Sequence, residues 1–348
     1  MNTRPVIMTL LPLRHITHAI MACVFLVAAI VPASAEQRGV WELIKVNGRD
    51  YVSVESMKKF YRFTKLTEVG KTVILENRKV EMRLTVDGNE CLMNRVKFIF
   101  SHKIEKVGAK VYVSRMDLAK LIDPVLRPSF IKKAGDFRTV ILDPGHGGKD
   151  PGATNSIGNE AVYNLKVAAQ IREKLQDKGY RVIMTRTTNK FLSLQQRVDL
   201  ANAVRENAIF VSIHFNSGGS HARGIETFTL SPPGVAHYGR GVVPSDNKQK
   251  TGNQNDSANI ALATAVHGTL LRRLEKHTLD RGVKRARFSV LSGVKHPAIL
   301  LEGGFMTHQV EARLIHNPAY QDSIATGVVE AIAKYRYAVG AKPPTSRP

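Results

Sequence analysis

From about residue 138 onward the chain alternates short apolar runs with longer stretches whose apolar residues recur at helical spacing. "TVILD" reads as a buried strand, and "EAVYNLKVAAQIREKLQDKG" as a helix closed by Gly179. "YRVIMTR", "AIFVSIHFNS" and "GIETFTL" read as further strands, with the helix "SLQQRVDLANAVRE" between the first two. The polar, Gly/Pro/Asn-rich stretch Ser231 to Asp256 predicts a loop rather than a stable helix. After it come a helix, "SANIALATAVHGTLLRRLEKH", two strands, "FSVL" and "AILLEGGF", and a last helix, "PAYQDSIATGVVEAIAKYR". This alternation predicts an α/β fold, a three-layer αβα domain around a mostly parallel mixed sheet.

Upstream, residues 36–126 carry a different pattern of short alternating segments. "TVILEN", "KVEMRLTV" and "RVKFIF" read as strands between Gly/Asn turns, which predicts a small α+β, β-rich accessory domain. An internal echo runs through it. "KVNGRDYVSVESMKK" is matched by "KVGAKVYVSRMDLAK", each a hairpin-like strand followed by a serine cap (Ser53, Ser114) and a short helix. In pattern the region resembles the small domain first named from the amino terminus of copper amine oxidases. No copper-ligand cluster accompanies the pattern, and the region is read as a spacer. The expected organisation is a leader at 1–35, the β-rich domain at 36–126, a linker at 127–137, the αβα domain at 138–338 and a disordered tail at 339–348.

The leader reading rests on Arg4 and Arg14, the only charges before Glu36, followed by an apolar run from Ala19 to Val31 and small residues at Ala33 and Ala35. That is the pattern of a secretory signal peptide cut after Ala35, and the run is short for a spanning helix. The expectation is export to the periplasm or the extracellular wall, with no stable membrane span after cleavage. The mature chain then keeps one cysteine, Cys91, and no internal disulfide. The formal net charge of +22 suits anionic surroundings such as envelope polymers. Basic residues are dispersed and no nucleic-acid motif is present, so nucleic acid is not an expected partner.

In sheets of this kind ligands sit beyond the carboxyl ends of the strands. His146 follows the first strand in "VILDPGHGGKDPG", His214 ends "FVSIH", Glu302 ends "AILLE", and Glu160 opens the helix that the His146 loop feeds. Two histidines and a carboxylate are the ligand set of a catalytic zinc that keeps a position open for water, whereas a structural zinc normally closes with four ligands, often cysteine, and only Cys91 is available. A carboxyl group flanked by "AILL" and "GGF" is desolvated, which suits Glu302 to general acid/base work.

The blocks "ILDPGHGGKDPGA", "GYRVIMTR", "SLQQRVDLAN", "FVSIHFNS", "RGIETF", "RGVKRARFSVL" and "PAILLEGGF" resemble, in order, those of the zinc-dependent N-acetylmuramoyl-L-alanine amidases. The resemblance runs from about Arg138 to Tyr337. It implies Zn2+ held by His146, Glu160 and His214, with Glu302 as catalytic acid/base. It also implies hydrolysis of the amide joining N-acetylmuramic acid to the L-alanine of peptidoglycan stem peptides. Asn216, Arg281, Arg287, Gly303 and Gly304 are the candidate substrate contacts. The basic run Arg281 to Arg287 either meets stem-peptide carboxylates or forms a solvated face. The chain departs from the family at Thr307-His308, where a small residue and Asn are usual. The alternatives are a secreted zinc peptidase acting within the stem peptide and a non-catalytic wall-binding protein.

Overall fold

The computed structural model describes residues 41–340 except 133 and 135, so the expected leader and the last eight residues lie outside the described residues. The described residues from Glu42 to Gly340 form one compact unit. Among the described residues, no helix is long and apolar enough to cross a membrane.

The unit begins with β1 (Leu43–Val46) and β2 (Arg49–Ser53), joined by Asn47-Gly48, both at positive φ as a tight hairpin turn requires. Ser53 then caps α1 (Val54–Phe60) by accepting from the Ser56 amide. Five antiparallel strands follow: β3 (Lys65–Val69), β4 (Thr72–Glu76), β5 (Glu81–Thr85), β6 (Glu90–Met93) and β7 (Val96–Ile99). The echo of the first hairpin is β8 (Glu105–Val107) and β9 (Lys110–Ser114), after which Ser114 caps α2 (Arg115–Asp117) by accepting from the Asp117 amide. The two echoed segments pair with each other, Val52 opposite Val113, in a four-stranded sheet of order β1-β2-β9-β8. A helical stretch continues into α3 (Asp123–Leu126).

The αβα part comprises β10 (Thr139–Pro144), α4 (Glu160–Asp177), β11 (Arg181–Met184), α5 (Leu194–Ala203), β12 (Ala208–Asn216) and β13 (Ile225–Leu230). It continues with α6 (Asp256–Leu274), β14 (Asp280–Ala286), α7 (Ser289–Gly293), β15 (Ala298–Phe305), α8 (Gln309–His316) and α9 (Pro318–Gly340). The sheet runs β11-β10-β12-β15-β13-β14-β7-β6-β5-β4-β3. Its first four strands are parallel, and β13 then runs antiparallel to β15. Strands β3–β7 therefore extend the same sheet, with β7 pairing parallel to β14. The α/β class and the β-rich amino-terminal part expected from the sequence are both present.

Alternation along each central strand divides the core in two. Ile141, Phe210, Phe228 and Leu300 pack with Val198 and Ala201 of α5 and Val290 and Leu291 of α7. The opposite face is covered by α4, α6 and α9, which bury Val167, Ile171, Leu262, Val266, Val328 and Ile332 completely. At about 1.5–3 kcal/mol per fully buried aliphatic side chain, these layers supply much of the driving force for folding.

Two details depart from the sequence reading. "FSVL" was expected as a strand, but Ser289–Gly293 is a short helix, and the strand lies one step earlier as β14, inside the basic run. Lys284 and Arg285 are buried there, so that run is not a solvated face. The Lys284 ammonium finds the Glu226 carboxylate at 2.5 Å, and Arg285 donates to the Lys120 carbonyl at 2.7 Å. Buried cations with internal partners hid the strand pattern.

The β10–α4 loop is held from beneath by two arginines. Arg186, almost completely buried, donates to the carbonyls of Pro144, Gly145 and Ala161, each at 2.8 Å. Burial, with the charge of Arg197 beside it, pulls its pKa down to about 10. Arg197 of α5 pairs with buried Asp143 at 2.7 Å and donates to the carbonyls of Pro144 at 2.8 Å and His146 at 2.7 Å. Asp143 also accepts from Thr185 and Ser212, so none of its charge is stranded. Arg197→Met should therefore cost about 3–5 kcal/mol, because it leaves the Asp143 carboxylate buried without its cation. Urea unfolding followed by circular dichroism measures this, and an unchanged midpoint would mean the pair carries no weight in the fold.

Candidate metal centre and cleft

His146 adopts φ +60, a left-handed conformation that a non-glycine residue rarely takes, and the two arginines hold its loop there. Two glycines make the approach possible. A Cβ on Gly145 would lie 2.0 Å from the His214 ring, and one on Gly152 would lie 2.5 Å from a Glu160 oxygen and 2.7 Å from the His146 ring. Only hydrogen fits at either position.

These elements bring His146, Glu160 and His214 together, with one potential ligand atom from each lying within 4.8 Å of the others. Glu160 Oε1 is 2.9 Å from His214 Nδ1 and 3.2 Å from His146 Nε2. The other His146 nitrogen, Nδ1, is 2.8 Å from Asp150 Oδ2. A carboxylate on one ring nitrogen fixes the tautomer and turns the other nitrogen toward the cluster. Glu160 also accepts from the amides of Ala153 and Phe215 and from the Asn164 side chain. Burial alone would raise its pKa, but hydrogen bonds from both histidines hold it well below the usual carboxylate range. For His146, burial lowers the pKa, yet hydrogen bonds to Glu160 and Asp150 outweigh it and leave the value raised. Two imidazole nitrogens and an anionic oxygen at this spacing fit a divalent transition metal such as zinc.

Glu302 stands opposite His214 in the β12–β15 register. It is buried, and its Oε2 has no hydrogen-bond partner. Burial, then the charges of Glu160 and Glu226, push its pKa well above the ordinary value. Glu226 is a neighbour that the strand-end rule missed, although it lies in the "RGIETF" block. β13 is antiparallel to β15, so the amino end of β13 reaches the rim formed by the carboxyl ends of the others, and Glu226 pairs with Glu302. Its carboxylate accepts from Arg281 at 2.6 Å, Lys284 at 2.5 Å and Asn216 at 3.0 Å.

A cleft of about 910 Å3 opens over this constellation, lined by His146, Glu160, His214 and Glu302, with Phe191, Leu194, Asn216, Arg287 and Phe288 around them. Of the five candidate substrate contacts, Asn216 and Arg287 reach it. The Arg287 guanidinium is occupied, however, donating to the carbonyls of Pro232, Val235 and Asp246 and pairing with the Asp246 carboxylate. Arg281 lies on the Phe305 ring, 4.8 Å from its centroid, and is paired with Glu226. Gly303 faces inward, where a Cβ would meet Phe215 at 2.8 Å, and Gly304 packs toward Glu311 and Ile315. Neither glycine lines the cleft. His308 caps α8 by accepting from the Glu311 amide, and Thr307 accepts from the Gly218 amide.

Residues 140–334 match the family model described as N-acetylmuramoyl-L-alanine amidase. The germination-specific N-acetylmuramoyl-L-alanine amidase of Bacillus subtilis (strain 168) is 31% identical over 214 residues, 57% of this chain and 79% of that protein. The N-acetylmuramoyl-L-alanine amidase AmiA of Escherichia coli (strain K12) is 29% identical over 252 residues, 66% of this chain and 86% of that protein. Among solved structures, the N-acetylmuramoyl-L-alanine amidase AmiC2 of Nostoc punctiforme aligns over 58% of this chain and 98% of its own at 29% identity, with a TM-score of 0.48. From the strand that leads to His146 through most of the final helix, the chain belongs to the N-acetylmuramoyl-L-alanine amidase family.

Proposed function

We propose that this protein is an exported zinc amidase that cleaves the amide between N-acetylmuramic acid and the L-alanine of peptidoglycan stem peptides. The observation that carries the reading is the unpartnered, buried Glu302 carboxyl across one cleft from the His146–Glu160–His214 cluster. Family membership supports the amide as the bond attacked. The leader-like first 35 residues support export, and the charge of +22 supports association with anionic envelope polymers.

Zinc held by the three ligands supplies Lewis acidity to the attacked carbonyl and to the water that attacks it. Glu302 takes the proton that this water loses and passes it to the alanine nitrogen, which cannot leave as an amide anion. Its burial suits both steps, because a carboxyl with raised proton affinity accepts a proton readily and still releases it to a more basic amine. Asp150 holds the His146 ring in the orientation that presents Nε2, and Arg186 and Arg197 hold the backbone that carries it.

His146→Ala and His214→Ala should lose bound zinc and activity together. Glu302→Gln should keep the metal and lower turnover by about 10²–10⁴-fold. Metal content by mass spectrometry beside a turnover assay separates the roles, and zinc loss in Glu302→Gln would mean that ligand and base have been exchanged.

Zinc uptake should also depend on pH with a definite sign. A ligand histidine must be neutral, and His146 binds its proton more tightly than an ordinary histidine. Zinc affinity should therefore be full above the raised pKa and fall as pH drops through it, by about tenfold per unit for one proton. Competition titrations between about pH 5 and 8.5 test this, and a flat profile removes His146 from the ligand set.

Digestion of purified peptidoglycan should release peptides with new L-alanine amino termini and leave the glycan strands long, as mass spectrometry of the products would record. Cuts within the stem would make it a peptidase, and absence of any product would leave a wall-binding protein.

A further inference from the structure

Arg281, Lys284 and Arg287 are the cations that the basic run offers to an acidic stem peptide, and each is already committed. Arg281 and Lys284 share the Glu226 carboxylate, and Arg287 is held by Asp246. Arg197, which lines the cleft, is neutralised by Asp143. Lys149 differs. It is exposed, and among the described residues no acid pairs with its ammonium. The ammonium rests instead on the face of the Phe191 ring, 4.7 Å from the centroid. Phe191 lines the cleft and is 41% exposed, and Leu194, also in that wall, is 55% exposed.

Backbone geometry fixes this pair beside the His146–Glu160–His214 cluster. Gly147 and Asp150 exchange amide-to-carbonyl hydrogen bonds of 2.7 and 3.2 Å, closing a turn with Gly148 and Lys149 at its tip. Asp150, which closes the turn, accepts from the Gly152 amide and holds His146 Nδ1. Gly148, at φ +60, donates its amide to the Asn189 side chain at 3.0 Å. A Cβ on Gly148 would lie 2.6 Å from the Phe191 amide nitrogen, so the turn packs directly on that backbone. One turn thus orients His146 and displays an unpaired ammonium at the rim of the same cleft.

We propose that Lys149, seated on Phe191, is the subsite for a carboxylate of the stem peptide, so that the cleft prefers acidic stems to amidated ones. The inference rests on the amidase reading above and adds what the cleft selects. An ammonium offers three donors to a carboxylate and a much poorer match to a neutral carboxamide. The ring beneath it restricts the lysine before substrate arrives, which lowers the ordering cost of the pair. Because the ammonium lies over the ring, substrate meets a cation there first, and a pyranose stacked on Phe191 would have to displace it. The pair is open to solvent, so its contribution is modest and sensitive to salt.

Three muramoyl tripeptides test the subsite: one with free carboxyls, one with a carboxamide on the second stem residue, and one with a carboxamide on the third. With the full chain, one of the two amidated stems should show KM raised about fivefold at unchanged kcat, and which one identifies the carboxylate bound. Lys149→Met should lose the preference by handling the acidic stem as weakly as the amidated one, and Lys149→Arg should retain it. Raising salt from about 0.05 to 0.5 M should shrink the preference in the parent. Calorimetry of the same peptides with the Glu302→Gln chain reads the preference as a ratio of dissociation constants without turnover. Absence of cleavage by the parent would therefore count against the amidase reading while the subsite is still scored by binding. Equal binding of all three stems, or a preference that survives in Lys149→Met, overturns the proposal. So does an equal loss on all three in Phe191→Ala with none in Lys149→Met, which would make the ring a platform for sugar.

Discussion

The pairing of Arg197 with Asp143 is the constraint on which the site depends. It is buried at both ends, and it fastens the last turn of strand β10 to helix α5 at the point where the chain must reverse. Arg186 extends the same grip by binding carbonyls that the irregular loop cannot satisfy itself. With the backbone fixed from below, His146 can be kept in a left-handed conformation, and Gly145 and Gly152 can let neighbouring side chains within van der Waals contact of the chain. Precise placement of His146 on a loop is thus obtained from rigid elements underneath it.

The electrostatics of the cleft follow from sheet order. Three carboxylates, Glu160, Glu226 and Glu302, occupy one rim, and each is treated differently. Glu160 has two histidines and two amides, so it stays ionised. Glu226 has Lys284, Arg281 and Asn216. Glu302 has one oxygen with no partner at all and faces the charge of the other two, which raises its affinity for a proton. Environments that separate the proton affinities of neighbouring carboxyls are how a site assigns distinct roles to one residue type.

Much of this was legible in the sequence because it depends on local pattern. The buried strands "TVILD" and "AILLE" and the periodic helices locate the rim, and His146, Glu160, His214 and Glu302 converge there as their positions imply. What escaped notice was non-local. β14 carries Lys284 and Arg285 at buried positions, and only Glu226 and the Lys120 carbonyl, far off in sequence, make that tolerable. Glu226 was hidden by the antiparallel direction of β13, which no local pattern encodes. Gly303 and Gly304 looked like room for substrate, but the space they free is filled by Phe215, Ile324 and Glu311. The role of Arg186 could not be inferred either, since its partners are carbonyls and leave no trace in residue identity.

The joining of β7 to β14 has a mechanical consequence. A module on a flexible tether searches the volume its linker allows, and its effect on a neighbouring site is one of local concentration. Here β3–β7 continue the sheet that carries Glu226 and Glu302, through Phe98 beside Val283. The distance and angle between those strands and the cleft are set by the sheet itself, as in a gauge and not a leash.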